Sequence, residues 1–176
     1  VASSTKLPIR WSETENIRWY TGTQGLGWSS PIIVGRSIYL TSAIQQADGA
    51  KTDLSLVSLD LETGKPNFTK AIFELSPGTP EIHKKNSHAS PTPIHVDGKL
   101  YLHFGHEGSA CTDLQGNILW ENRDHKYPPT HGNGSSPIVV QGLMIMTCDG
   151  ADDPYTLALD CKTGKEVWRT PRGIET

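Results

Sequence analysis

The feature that most constrains this chain is a repeat. Three stretches align: "WSSPIIVGRSIYLTS" from Trp28 to Ser42, "HASPTPIHVDGKLYLHF" from His88 to Phe104, and "GSSPIVVQGLMIMTC" from Gly134 to Cys148. Each runs from a small residue through Ser-Pro into an apolar run, then a glycine turn, then a second apolar run. A second motif follows each one: "LVSLDLETGKPNF", "ACTDLQGNILW" and "LALDCKTGKEVW". These share an apolar/Asp strand, a turn glycine, and an aromatic four residues beyond it. Phe68 follows Gly64, Trp120 follows Gly116, and Trp168 follows Gly164.

Each unit therefore reads as four short strands rich in Val, Ile, Leu, Tyr and Trp, bounded by Gly, Asp, Asn and Pro. In the third unit they are expected at 136–141, 143–148, 155–160 and 165–170. The first unit is longer, and its excess is assigned to an insertion, "AIQQADGAKTD", after the second strand. A helical reading fails, because no stretch of a dozen residues keeps a 3.6-residue period without Gly or Pro. The aromatic at a fixed offset reads as packing, one large ring wedged between neighbouring units.

Four-stranded units of about 45 residues in tandem specify a β-propeller. The expected fold is all-β, a partial propeller of antiparallel four-stranded blades within one domain, 1–176. Blade 1 spans 28–73, blade 2 spans 88–126 and blade 3 spans 134–172. An orphan stretch at 16–23, "NIRWYTGT", resembles "NILWENRD" and "KEVWRTPR". It reads as an outer strand of the kind that closes a ring. On this reading the chain is the first part of a larger propeller with further C-terminal blades. By itself it forms a three-bladed fan without a closed channel.

Composition removes several function classes. The net charge is −3 and the Lys and Arg residues are scattered, which leaves no basic field for a nucleic-acid backbone. No apolar run approaches the ~20 residues of a membrane-spanning helix. The first residues lack the hydrophobic core of a signal peptide, so any such signal is expected upstream. The three cysteines lack zinc-ligand spacing and read as buried thiols. No Gly-x-Ser-x-Gly elbow is present. "GTQGLG" at 22–27 has no β–α unit around it, so a dinucleotide fingerprint is not expected. "THGNGSSPIVV" at 130–140 runs into a strand, where a phosphate loop would open a helix.

Alternating strand direction narrows the search for a site. The loops between second and third strands share one face of the propeller with the segments leading into first strands. That face collects Trp28, His88, His131 and Asn133 from the lead-in segments. It also collects His106 and Glu107 from "FGHEG", and Asp149, Asp152 and Asp153 from "CDGADDP". Trp28, His88, His106, Glu107, His131 and Asn133 are the candidate cofactor-binding residues, and Asp149 and Asp152 the candidate metal ligands. Two ligand sets suggest themselves: His88, His131 and Glu107 for a borderline metal, and Asp149, Asp152 and Glu107 for calcium. Neither has a diagnostic spacing, and short polar residues in loops also serve as turn formers. His83, His95 and His125 read as ordinary exposed residues.

The units resemble the pyrroloquinoline-quinone-like (PQQ-like) β-propeller repeat of large exported bacterial proteins. The resemblance rests on "GWSSPIIVGRSIYLTSA", "SHASPTPIHVDGKLYLHFG", "HGNGSSPI" and "CDGADDPYTLALDCKTGKEVWRT", and runs from about Leu7 onward. It implies a periplasmic or otherwise extracytoplasmic setting. That superfamily includes dehydrogenases that use PQQ and calcium on alcohols or sugars, a scaffold lipoprotein of outer-membrane assembly, and proteins without known activity. The dehydrogenases often carry an adjacent Cys-Cys pair that stacks on the quinone, and this sequence has none. The resemblance therefore implies a non-catalytic scaffold for a protein partner or small ligand. The alternative is part of a PQQ- and calcium-dependent oxidoreductase.

Overall fold

A computed structural model describes residues 8–47 and 49–173. The extremes of the expected 1–176 domain, and Asp48 of the first-unit insertion, lie outside the described residues. Twelve strands form three separate four-stranded antiparallel sheets, each in sequence order. Sheet 1 contains β1 (Ile32–Val34), β2 (Ser37–Gln45), β3 (Thr52–Asp60) and β4 (Pro66–Glu74). Sheet 2 contains β5 (Ile94–Val96), β6 (Lys99–His103), β7 (Ser109–Asp113) and β8 (Ile118–Asn122). Sheet 3 contains β9 (Ile138–Val140), β10 (Leu143–Cys148), β11 (Tyr155–Asp160) and β12 (Glu166–Pro171). The only helical piece among the described residues is one 3₁₀ turn, Gly105–Glu107.

The first strands line up, β1 beside β5 and β5 beside β9. Polar links join them: Ser30 N donates to Thr92 Oγ1 and Thr92 N to Ser136 Oγ, both at 2.9 Å. In sheets 1 and 3 the serine before the Ser-Pro pair, three residues ahead of the first strand, braces the second strand. Ser135 Oγ accepts from Thr147 N on β10, as Ser29 Oγ accepts from Thr41 N on β2.

Apolar faces meet between the sheets. Leu54, Leu56, Phe73, Leu100, Leu102 and Phe104 fill the space between sheets 1 and 2. Tyr101, Trp120, Met144, Met146, Leu157 and Leu159 fill that between sheets 2 and 3. All three cysteines are buried free thiols, and burial pushes Cys111 and Cys148 up to about 11. A thiol held protonated in this way is a small apolar residue.

The repeat extends to irregularities. The third strand of each sheet carries a register shift, at Ser58/Leu59, Cys111/Thr112 and Ala158/Leu159. Immediately before each shift the strand residue faces the repeated aromatic: Ser58 faces Phe68, Cys111 faces Trp120, and Ala158 faces Trp168. Such bulges re-aim a side chain, here toward the next sheet. The Trp120 ring lies against Gly164, where an added Cβ would come within 2.4 Å of it, and its Nε1–H donates to Cys161 O at 2.9 Å. Phe68 meets Gly116 in the same way.

Two expectations change. The 43–53 insertion does not follow the second strand but begins within it. It lengthens the β2–β3 hairpin, pairing Ala43 with Leu54, Ile44 with Asp53 and Gln45 with Thr52. Gln46 N–H to Lys51 O closes the turn at 2.8 Å. Residues 16–23 form no strand, because none of the described residues offers them a ladder partner. Trp19 nonetheless takes the aromatic's place on sheet 1. Its ring covers Gly64, and its Nε1–H donates to Leu61 O at 3.0 Å.

The glycines of "GTQGLG" also acquire a reason. The segment runs along the free edge of β2, with Leu26 and Ala43 exchanging backbone hydrogen bonds. A Cβ at Gly25 or Gly27 would lie within 2.4 Å of a β2 carbonyl oxygen. Close approach demands glycine there.

Candidate functional site

The loop face of sheet 2 holds two polar networks, and of the predicted site residues Glu107 and Asn133 lie at their centres. The first centres on Glu107, whose side chain is 1% exposed. Its Oε1 accepts from Thr79 Oγ1 at 2.5 Å, and its Oε2 from Ser76 Oγ at 2.8 Å and Arg123 Nη2 at 2.6 Å. Lys126 Nζ lies 4.0 Å away. Ser76 and Thr79 belong to the connection leaving sheet 1, and Arg123 to the segment leaving β8. One carboxylate thus ties three chain segments together. Burial alone would raise its pKa, but the hydrogen bonds from Thr79 and Ser76 and the Lys126 charge outweigh burial and hold it below the usual range. Arg123 also stacks over Phe73, 4.9 Å from the ring centre.

The second network is a relay. His103 is buried on β6, with Nδ1 3.0 Å from Ser109 Oγ and Nε2 3.2 Å from Tyr127 Oη. Tyr127 Oη is 2.6 Å from the Asn133 carboxamide. The carboxamide orientation that satisfies every neighbour has its nitrogen donating to Tyr127 Oη, and its oxygen accepting from Gly105 N at 3.2 Å and His106 N at 3.1 Å. Tyr127 then donates to His103 Nε2, and His103 Nδ1–H to Ser109 Oγ. Gly105 is obligatory, since a Cβ there would overlap the Asn133 carboxamide. Asn133 is therefore a brace between the 3₁₀ turn and the connection into sheet 3.

Burial pushes His103 down to about 4 from an ordinary 6.5. The unfolded chain binds this proton first as pH falls, so the folded state loses stability between pH 6.5 and about 4. The loss amounts to about 3 kcal/mol. Urea midpoints measured across that range should fall steeply in the wild type and more shallowly in His103→Gln.

The remaining predicted residues spread out. His106 uses its Nδ1 on Tyr127 O at 2.8 Å. His88 is half-buried, and burial lowers its pKa, with the Glu107 charge partly opposing. His131 packs edge-on against His83, ring centres 5.8 Å apart, while its carbonyl accepts from Asn86 Nδ2 at 2.9 Å. Trp28 is 57% exposed on the sheet 1 lead-in. Asp149 pairs with Arg172 and accepts from Thr147 Oγ1 at 3.3 Å. Asp152 and Asp153 are exposed.

Neither expected metal triad is assembled. Among the described residues, no three His, Cys, Asp or Glu side chains converge to hold a metal ion. Glu107, common to both triads, has turned its oxygens to Thr79, Ser76 and Arg123. The three histidines expected to be ordinary exposed residues are also engaged, His83 by its ring against His131 and by accepting from Lys85 N at 3.2 Å. His125 Nδ1 lies 3.5 Å from Glu166 with its Nε2 buried and unpartnered, and His95 Nε2 accepts from Gly98 N. Sequence reading missed Arg123, Ser76, Thr79, His103 and Tyr127. Ser76, Thr79 and Tyr127 lie outside the repeated motifs, while His103 and Arg123 fall inside them at positions where the other units carry different residues; only Tyr127, a bulky aromatic just before Pro128-Pro129, carried a local packing signal.

No family model matches the chain. A quinoprotein ethanol dehydrogenase of Pseudomonas aeruginosa is 29% identical over 105 residues, covering 53% of this chain and 16% of the relative. Among solved structures, a quinohemoprotein alcohol dehydrogenase from Comamonas testosteroni superposes with a TM-score of 0.59 at 19% identity, over 85% of this chain and 21% of that one. A europium-containing methanol dehydrogenase gives 0.57 at 18% identity over 87% and 26%. BamB from Moraxella catarrhalis gives 0.55 at 19% identity over 87% and 42%. The chain has the quinoprotein-like β-propeller fold. As a partial propeller it spans well under half the length of each of these proteins, and the likeness to the solved structures carries the fold alone. No helix among the described residues of the propeller is long and apolar enough to cross a membrane.

Proposed function

We propose that this chain is part of an extracytoplasmic PQQ-like propeller that acts as a non-catalytic scaffold, presenting its loop face to a protein partner or small ligand. The observation that carries this reading is the state of Glu107. It is the best-shielded acid on that face, and its oxygens are taken up by Thr79, Ser76 and Arg123. Asn133 and His106 are likewise engaged with backbone groups. Side chains committed to holding loops in place make a rigid surface of the kind a binding partner needs.

The residues present do not fit PQQ with calcium. Calcium asks for six to eight oxygen ligands. Of the three acids expected to supply them, Glu107 is held by protein donors and Asp149 is paired with Arg172, which leaves Asp152, exposed on its loop, far short of such a set. The second reading, a segment of a quinoprotein oxidoreductase, is favoured by the match to a protein named quinoprotein ethanol dehydrogenase. The two separate in one experiment on the full-length protein, incubated with PQQ and calcium, repurified and assayed for dye reduction with alcohols and sugars. The scaffold reading expects no retained quinone absorbance and no turnover. Dye reduction that requires both PQQ and calcium would overturn it.

A further inference from the structure

The position of one proton decides how the second polar network is wired. Ser109, His103, Tyr127 and Asn133 form a single file of hydrogen bonds that ends on two backbone amides, Gly105 N and His106 N. Those amides can only donate, so the Asn133 carboxamide must offer them its oxygen and turn its nitrogen to Tyr127. Tyr127 then donates to His103 Nε2, and His103 Nδ1–H donates to Ser109 Oγ. The far end agrees. Ser109 Oγ lies 3.5 Å from Met146 Sδ and gives its own hydrogen to that sulfur, which leaves its lone pairs for His103. Both ends of the file therefore require a neutral His103 with its proton on Nδ1.

A second proton, on Nε2, reverses one link. Tyr127 Oη then accepts where it donated, and its own hydrogen needs a new acceptor. The Asn133 carboxamide is 2.6 Å away, but it can accept only by turning over, which sets its NH2 group against the N–H groups of Gly105 and His106. The Cys148 thiol beside Tyr127 is a weak acceptor and does not replace it. Whichever way the file adjusts, a buried hydrogen bond is lost.

The titratable groups around the file do not oppose this. Cys148 on β10 and Tyr155 on β11 are held neutral by burial. Asp149, just beyond β10, is paired with Arg172, and Arg169 on β12 stacks over Tyr155. On the 3₁₀ turn, His106 donates Nδ1–H to Tyr127 O and keeps that bond when protonated, while Lys126 Nζ donates to His106 O at 3.0 Å. None of these charges contributes to the shift at His103, which burial alone produces.

We propose that His103 is an acid-operated latch on the loop face: on taking up a proton it releases the Asn133 carboxamide from Gly105 and His106, and so frees the lead-in to sheet 3 from the 3₁₀ turn. The turn carries His106 and Glu107, and the lead-in carries His131 and Asn133. Unlatching loosens the face at the junction of sheets 2 and 3. The lead-in then keeps Asn86, whose Nδ2 donates to His131 O at 2.9 Å and Asn133 O at 3.2 Å. The latch is independent of the scaffold reading, because it acts on the loops whatever they bind.

The test is amide hydrogen exchange on the full-length protein, read on peptides spanning 104–108 and corrected for the intrinsic effect of pH. Protection at Gly105 and His106 should fall by at least about tenfold between pH 7 and pH 4, while the β6–β7 ladder keeps its protection. His103→Gln cannot take up the proton and should stay flat. Asn133→Asp accepts from both amides with one oxygen and from Tyr127 with the other in either state of His103, so it should stay flat as well. Ring ¹⁵N shifts give the wiring directly: Nδ1–H in neutral wild-type His103, and Nε2–H in Asn133→Asp. Wild-type His103 carrying its neutral proton on Nε2 overturns the proposal. So does wild-type protection that stays flat, or protection that falls equally in His103→Gln or in Asn133→Asp.

Discussion

Trp120→Ala should destabilise the chain by about 4 kcal/mol, while Trp168→Ala should cost under about 1 kcal/mol. The two residues share a motif, a register and a bulge, so sequence gives no reason to separate them. Burial does. Trp120 is packed among Tyr101, Cys111, Leu159 and Cys161, and its ring lies directly against Gly164. Removing it opens a cavity that backbone on both sides cannot collapse to fill. It also takes one of two donors from Cys161 O, leaving Tyr101 Oη at 3.4 Å. Urea unfolding followed by far-UV circular dichroism reads both variants. Equal midpoints for the two would mean that the stitch between sheets 2 and 3 carries no special weight. Gly164→Ala gives the same interface from the other side, since its φ of +70° and the ring 2.4 Å away oppose any Cβ. Gly35→Ala is the control, with a similar φ of +59° and nothing within 4 Å.

Glu107→Ala is expected to cost about 3–5 kcal/mol, because breaking a buried ion pair strands the partner charge. Arg123 is only partly exposed and is held over Phe73, so it cannot swing fully into water. Arg123→Ala should be comparably harmful, leaving a carboxylate buried with hydroxyl donors alone. The double variant should cost less than the sum of the two singles. The pH dependence has a definite sign. The folded-state pKa lies below the ordinary 4.5, so the contribution is present above that pH and is lost as pH falls through the depressed folded value. Glu107→Gln should flatten that acid limb without moving the His103-dependent loss at higher pH. Denaturant midpoints from pH 7 to pH 3 test both statements.

The blades were legible because their signal is repeated. Strand limits in the third unit agree with expectation to within two residues, since Gly142 and the Asp160 turn punctuate it on both sides. Asp160 Oδ1 accepts from Lys162 N, Thr163 N and Thr163 Oγ1, which explains why the motif needs Asp and Thr at those places. Asp60 repeats the arrangement with Glu62 and Thr63. The 43–53 insertion was placed after the second strand because polar residues crowd it, although 43–45 still pair with 52–54 across the ladder. The candidate site was legible only as a face. Its actual partners, Ser76, Thr79 and Arg123, lie 31, 28 and 16 residues from Glu107 and share no periodicity with it. Nothing in a single sequence ties such positions together before the chain has folded.

The direction of the aromatic contacts has a consequence for synthesis. Within each sheet every ladder joins neighbouring strands, so a blade can form as soon as its own residues have left the ribosome. The stitches work on a longer rhythm. Trp19 waits for Leu61, 42 residues on, and Trp120 for Cys161, 41 residues on. Each new blade thus finds its predecessor's ring already waiting, and folding can advance from the N-terminus one sheet at a time, as domains do during synthesis. A nascent chain of this kind leaves one aromatic ring uncovered at its growing edge, Phe68 after sheet 1 and Trp120 after sheet 2, and that ring marks how far assembly has progressed.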